Sequence, residues 1–214
     1  MTTTVHVVRH GEVHNPAGVL YGRLPDYHLS ELGQAMAERI ATSMSGRDVT
    51  YLVSSPLERA RETIAPSATM LGITPEIDDR LIEAANVFEG KRFGVGDGAL
   101  REPSAWWHLR NPFRPSWGEP YDVIAARMLA AVEDAAGKAQ GHEAVVVSHQ
   151  LPIWTLRNAA EGKRLWHDPR ARECSLASVT SITLDGRDVV SVAYSEPAAD
   201  LLPAKPTRRL QKGS

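Results

Sequence analysis

Two rhythms of apolar and polar positions alternate along this chain, one of short runs and one of helical period. Val5-His6-Val7-Val8, closing on Arg9, predicts a strand over 5–9. From Ser30 to about Met44, Leu32, Ala35, Met36 and Ile40 recur at helical spacing, and Thr50 to Ser54 predicts a second strand. Ser55-Pro56-Leu57-Glu58 combines a capping serine, a proline at the first helical position and a glutamate three residues after the serine. A helix is therefore expected from there to about Leu71. Tyr121 to Ala136 repeats Ile124, Met128, Leu129 and Val132 with helical period, and Leu151 to Ala160 reads as a further helix. Between them Ala144-Val-Val-Val-Ser148 has the continuous apolar character of a strand buried on both faces of a parallel sheet. Ser178–Leu184 and Val189–Tyr194, joined at Asp185-Gly186, predict a hairpin at the sheet margin. This order of strands and helices points to an α/β sandwich.

Two segments break the rhythm. Between Gly90 and Pro120 five Gly, four Pro and three Trp (Trp106, Trp107, Trp117) interrupt periodicity, which places an excursion of loops and short helix there. Its aromatic and arginine content suits either a substrate-selecting lid or a packed satellite and dimer interface, so a homodimer is one expectation. Residues 201–214 are basic and turn-rich and read as a mobile tail. One domain over 1–200, with an insertion at about 88–120, accounts for the rest.

Composition narrows the function classes. With 214 residues, 43% hydrophobic content and a formal charge of −2, the chain can bury one substantial core. It lacks the basic excess expected of a nucleic-acid or membrane-surface binder. The single cysteine, Cys174, excludes an internal disulfide and a cysteine-rich zinc site. No apolar run approaches the roughly 20 residues that span a bilayer, and no signal-peptide pattern opens the sequence, so a cytoplasmic location is expected.

The chemistry concentrates where strands end. Arg9-His10-Gly11-Glu12 closes the first strand, Ser54-Ser55 with Arg59 closes the second, and Ser148-His149 closes the valine-rich one. In an open parallel sheet these carboxyl ends share one edge, where ligands bind. Two guanidinium groups and two imidazoles meeting there repel one another unless an anion lies between them. Arginine forks suit phosphate oxygens, and a helix amino terminus near Ser55 adds N–H donors. Gly11 allows close backbone approach.

In order, Val-Val-Arg9-His10-Gly11-Glu12, then Ser54-Ser55-Pro56-Leu57-Glu58-Arg59-Ala60-Arg61-Glu62-Thr63, then Leu81-Ile82-Glu83, then Val-Val-Ser148-His149 resemble the histidine phosphatase superfamily, in its phosphoglycerate-mutase-like branch. The likeness runs from residue 5 to about 160. It implies a three-layer αβα sandwich about a mostly parallel central sheet. It also implies a phosphohydrolase acting on a small phosphorylated substrate without metal or cofactor, through a phosphohistidine on His10. By the same resemblance Arg9, Arg59 and His149 hold phosphoryl oxygens and Glu83 donates the proton. Glu12, Glu62 and Glu89 are rival carboxylates for that last role.

Supporting positions follow less closely. Asn15 resembles the family's phosphate-binding asparagine, displaced by one residue. Gly22-Arg23 resembles the segment at the substrate mouth, where Arg23 either meets a substrate anion or is simply exposed. Ser148 stands with His149 as a substrate-binding candidate. The chain departs from the family at Gln150-Leu151-Pro152, where Gly-Gly is usual, and at Gly118-Glu119-Pro120. A phosphoglycerate-type mutase and a non-catalytic phosphate-binding module remain the alternatives. His10 and His14, four apart, lack the helix and carboxylate of a metal motif, so no metal is expected.

Overall fold

The computed structural model describes residues 1–91 and 118–202. Within them six strands form one sheet in the order β3-β2-β4-β1-β5-β6. These are β1 (Thr2–Arg9), β2 (Val49–Ser54), β3 (Glu76–Ile77), β4 (Glu143–Ser148), β5 (Val179–Asp185) and β6 (Asp188–Ser195). The pairs of β1 with β4, β4 with β2 and β2 with β3 are parallel; β5 and β6 add an antiparallel margin. Four α-helices of the described residues cover the sheet: α1 (Glu31–Met44), α2 (Glu58–Leu71), α3 (Tyr121–Lys138) and α4 (Gln150–Ala160).

The period of two along a strand sorts the core into two halves. Val5, Val7, Ala144 and Val146 face one way and pack with Ile124, Met128, Val132, Ile153 and Leu156 of α3 and α4. Val8, Val145 and Val147 face the other way, against Met36 and Ile40 of α1 and Ala60 and Ile64 of α2. Three layers result, with β4 buried on both faces as its composition predicts. Each fully buried valine contributes roughly 1.5–3 kcal/mol, and this centre fixes the positions at which the strands end.

Three expectations need correction. On α1 the inward face is Gly33, Met36, Ala37, Ile40, Ala41 and Met44, whereas Ala35 is exposed. Ala37 lies four residues from Gly33 and three from Ile40, which puts it on the buried stripe in place of Ala35. Second, α2 starts at Glu58 behind Leu57, not at Pro56, and Ser55 does not form its cap. The Ser55 hydroxyl is drawn instead to His149. Third, the two-residue strand β3 has no counterpart in the sequence reading, being too short to show a period. Ser30 does cap α1, accepting from the Gly33 N–H at 3.0 Å. The Trp-bearing stretch and the tail from 203 onward lie outside the described residues.

A backbone contact joins α1 to the loop after β1. A Cβ on Gly33 would stand 2.0 Å from the Glu12 carbonyl oxygen, and one on Gly11 would stand 2.6 Å from the Gly33 oxygen. Alanine normally improves a helix by about 0.5–1 kcal/mol over glycine. Here the order should reverse: Gly33→Ala is expected to lose about 1–3 kcal/mol in thermal or urea unfolding, and an unchanged or raised melting temperature would show that the contact is dispensable.

Candidate active site

The register of the parallel strands brings the chemistry to one edge. Arg9 pairs with Ser148 and Ser54 with Val147. One residue further, the His10 N–H donates to the Ser148 carbonyl at 3.2 Å and the Ser55 N–H to the Val147 carbonyl at 2.9 Å. His10, Ser55 and His149 therefore leave the sheet side by side. The rings of His10 and His149 lie 5.1 Å apart, tilted by 58°.

Hydrogen bonds fix how each group is presented. His10 Nδ1 lies 2.8 Å from the Gly11 carbonyl oxygen, which can only accept, so Nδ1 carries the proton and Nε2 keeps its lone pair. The Gly11 N–H in turn donates to Thr63 Oγ1 of α2 at 3.1 Å. His149 Nε2 lies 2.8 Å from Ser55 Oγ, and that oxygen accepts from the Leu57 N–H at 3.4 Å. Ser55 can donate its own proton to Nε2, and with the bond in that sense the His149 proton sits on Nδ1 as a donor.

Arg9 donates from Nη1 to the Cys174 carbonyl at 2.6 Å, and Arg59 donates from Nη2 to the Gly22 carbonyl. Tyr21 lies over the Arg59 guanidinium at 4.8 Å, stacks on Tyr27 at 5.0 Å, and meets His10 edge-on at 6.5 Å. These contacts leave a distinctive remainder. Arg59 is wholly buried, yet its Nε and Nη1 have no partner among the described residues; the same is true of Arg9 Nε and His149 Nδ1. An unpaired buried donor costs about 1–3 kcal/mol, and three such guanidinium nitrogens with the unpartnered His149 Nδ1 beside them mark a receptor for an anion with several acceptor oxygens.

Electrostatics sets the protonation states. Burial first, then the Arg9 and Arg59 charges, hold the His10 imidazole well below its usual range. Burial and then the neighbouring His10 do the same to His149. Both rings are therefore neutral near pH 7. Glu83 moves the opposite way, because burial raises its carboxyl above the usual range even though the Ala84 N–H and the arginines pull it down. A base-like imidazole and an acid-like carboxyl thus stand at one cavity of about 290 Å³, lined by Arg9, His10 and Glu83 among others.

The remaining sequence candidates take up other positions. The Asn15 amide is occupied at both atoms by Val19, accepting from its N–H at 3.1 Å and donating to its carbonyl at 2.8 Å, so Asn15 shapes its own loop. Arg23 donates to the Glu83 carbonyl at 2.6 Å and to Glu119 at 2.9 Å, making it a clamp on the segment that carries Glu83. Ser148 is fully buried and donates to the Leu81 carbonyl at 2.7 Å, steadying the same segment from below. Gly22 lines the cavity, holds Arg59 through its carbonyl, and has φ of 41°, where a Cβ would meet the Glu89 carboxylate at 2.3 Å. Of the rival carboxylates, Glu12 accepts from Ser30 at 2.6 Å, Glu62 from the Leu29 N–H at 2.7 Å and Glu89 from the Asn86 N–H at 3.3 Å. Glu83 is the one of the four among the residues lining the cavity.

Ser55, which the sequence places at the strand end, serves His149 in place of the helix cap. Three further contributors escape a reading of the sequence, and of these Tyr21 sits in a loop without period. Gln150 lines the cavity with its amide 3.4 Å from the Cys174 carbonyl. Arg172 lines it from the connection between α4 and β5, where no strand end or motif marks it.

Comparison with known proteins settles the lineage. The model of the histidine phosphatase superfamily (branch 1) matches residues 5–197. The chain belongs to this superfamily. It is 60% identical over 197 residues to the uncharacterized protein Rv0525 of Mycobacterium tuberculosis, covering 92% of this chain and 98% of that one. Among solved structures, YhfR of Bacillus stearothermophilus superposes with a TM-score of 0.76 at 26% identity, covering 94% of this chain and all of that one. The mycobacterial glucosyl-3-phosphoglycerate phosphatase Rv2419c shares the fold with a TM-score of 0.72 at 24% identity, covering 91% and 97%. The mixed six-stranded sheet and four helices of the described residues match the phosphoglycerate-mutase-like α/β fold of these neighbours. Among the described residues no helix is long and apolar enough to cross a membrane.

The depressed histidines have a consequence for stability. Their folded-state pKa values lie below the unfolded value of about 6.5, so the stabilisation is complete above that pH and is lost as pH falls. In urea unfolding at pH 5 to 7, His149→Asn is expected to flatten the acid-side decline by about 1.4 kcal/mol per pH unit, one proton's worth. Parallel curves for the two proteins would mean that His149 titrates normally in the fold.

Proposed function

We propose that this chain hydrolyses the phosphate monoester of a small metabolite through a phosphohistidine on His10. The observation that carries the reading is the fixed neutral tautomer of His10, its Nε2 lone pair unprotonated beside unpartnered guanidinium and imidazole donors. Nε2 attacks phosphorus, an N–P bond forms and the ester P–O bond breaks. The leaving alkoxide takes the proton from Glu83. The ring gains positive charge as the bond forms, and the Gly11 carbonyl at Nδ1 stabilises that charge. Water then attacks phosphorus, giving its proton to the Glu83 carboxylate, and the N–P bond breaks to release inorganic phosphate and the starting imidazole. Arg9, Arg59 and His149 hold the three other oxygens in both steps, and a prepositioned donor of this kind is worth roughly 10²–10³ in rate.

The charge that neutralises the phosphoryl oxygens comes from guanidinium groups, which supports a reaction independent of metal. Turnover should accordingly survive EDTA and be blocked by vanadate. His10→Ala is expected to lose at least about 10³ in kcat, and rapid quench of the native chain should trap an acid-labile phosphoenzyme that this variant lacks. Retained turnover in His10→Ala would reject the nucleophile. Interconversion of phosphate positions without release of inorganic phosphate would reject hydrolysis in favour of a mutase.

Glu83→Gln supplies a separate check on the proton donor. Its kcat should fall by about 10²–10⁴ on an alkyl phosphate and far less on p-nitrophenyl phosphate, whose leaving group needs no proton. The native kcat should decline at high pH as the raised Glu83 pKa is passed, since the acid form is the active one. Equal losses on both esters would remove Glu83 from the role.

A further inference from the structure

The pattern of arginine pairing across the chain singles out one more residue. Among the described residues seven arginines are buried or half-buried: Arg9, Arg23, Arg59, Arg80, Arg127, Arg157 and Arg172. Arg23 and Arg127 share Glu119, Arg80 holds Asp78 and Asp134, and Arg157 holds Glu161 and Glu173. Arg9, Arg59 and Arg172 form no ion pair with a described residue. Two of these line the cavity and the third stands directly behind it, under Tyr21. Desolvating a guanidinium without a carboxylate is costly, and a protein that pairs its structural arginines has left these three for something else.

Arg9 and Arg59 are accounted for by the phosphoryl group. Arg172 is held differently, and its holding spares its charge. Its Nε donates to His167 Nε2 at 2.8 Å, and His167 Nδ1 donates to the Leu165 carbonyl at 2.7 Å, so the anchor is a neutral imidazole acting as acceptor. Tyr121 and Trp154 pack on that imidazole at 5.3 and 5.9 Å and fix its plane. The guanidinium is thus oriented by neutral groups, His167 and the Tyr121 hydroxyl, while no carboxylate of the described residues pairs with its charge at the cavity wall. Glu119 also lines the cavity but is neutralised by Arg23 and Arg127. Burial holds the Glu83 carboxyl toward its neutral form.

A phosphate dianion balances two guanidinium groups, which leaves Arg172 without a counter-charge among the described residues. We propose that Arg172 is a specificity-determining residue that binds a second anionic group of the substrate, so that the site takes phosphate monoesters bearing a further carboxylate or phosphate. The inference rests on the phosphate-monoester reading of the same site. Arginine suits either anion, because its planar fork offers two parallel N–H donors to a carboxylate or a phosphate.

Calorimetric titration with non-hydrolysable phosphonates tests this without relying on turnover. Ethylphosphonate probes the phosphoryl site alone; phosphonoacetate, 3-phosphonopropionate and 4-phosphonobutyrate add a carboxylate at increasing reach; methylene- and propylene-diphosphonate add a second phosphonate. At least one bifunctional ligand should bind the native chain tenfold or more tighter than ethylphosphonate, and the series that does so identifies the second anion. Arg172→Gln should abolish that advantage and Arg172→Lys should keep part of it. No gain for any bifunctional ligand on the native chain, or a gain that persists in Arg172→Gln, overturns the role of Arg172 and leaves the phosphoryl site standing. Failure of ethylphosphonate and all the others to bind overturns the phosphate pocket and Arg172 together.

Discussion

Complete burial of the Arg59 guanidinium, with two of its nitrogens unpartnered among the described residues, is the constraint on which the rest of the site depends. Each such donor costs about 1–3 kcal/mol, against a total stability of about 5–15 kcal/mol for a domain. The cost is tolerable because it sits beside the apolar centre of the sheet, where the valines of β4 and β1 are entirely out of water. Binding energy that would otherwise have gone into an internal ion pair is left available to a phosphoryl group. The same low-polarity surroundings keep two imidazoles neutral and raise the Glu83 carboxyl above its usual range, so base, acid and anion receptor all draw on burial.

Packing and chemistry are linked through register. A slip of one residue between β1 and β4 would turn Val7 and Val8 to the wrong layers and would also part His10 from His149. The hydrophobic core therefore sets the spacing of the two histidines as firmly as any polar contact does. The Gly11 and Gly33 backbones, pressed together, extend that control to α1, and the Thr63 hydroxyl extends it to α2.

The sequence was most readable where a residue type and a strand end coincided. Val5 to Arg9 and Ala144 to Ser148 announce both their strands and the residues they deliver, because a parallel sheet allows its carboxyl ends only one edge. Glu83 emerged from family likeness alone, since it sits in a loop whose path no periodicity encodes. Loop geometry also explains the misplacements. Asn15, Arg23 and Ser148 are the right residue types near the right place, but each is consumed by a backbone partner whose position depends on the tertiary fold. Ser55 shows the reverse, a hydroxyl that local pattern assigns to a helix and that a histidine 94 residues away recruits. Arg172 carried no sequence signal, for its distinction lies in lacking a partner that other arginines have.

Three of the central side chains are held by main-chain carbonyls: His10 by Gly11, Arg9 by Cys174 and Arg59 by Gly22. A carbonyl belongs to the main chain, so side-chain changes in the surrounding loops cannot delete it, although Gly11 and Gly22 themselves leave no room for a Cβ. Loops that line the cavity can drift in sequence, and so trade one metabolite for another, while the phosphoryl machinery keeps its aim. A scaffold wired in this way is suited to radiating into many substrate preferences from one unchanged reaction.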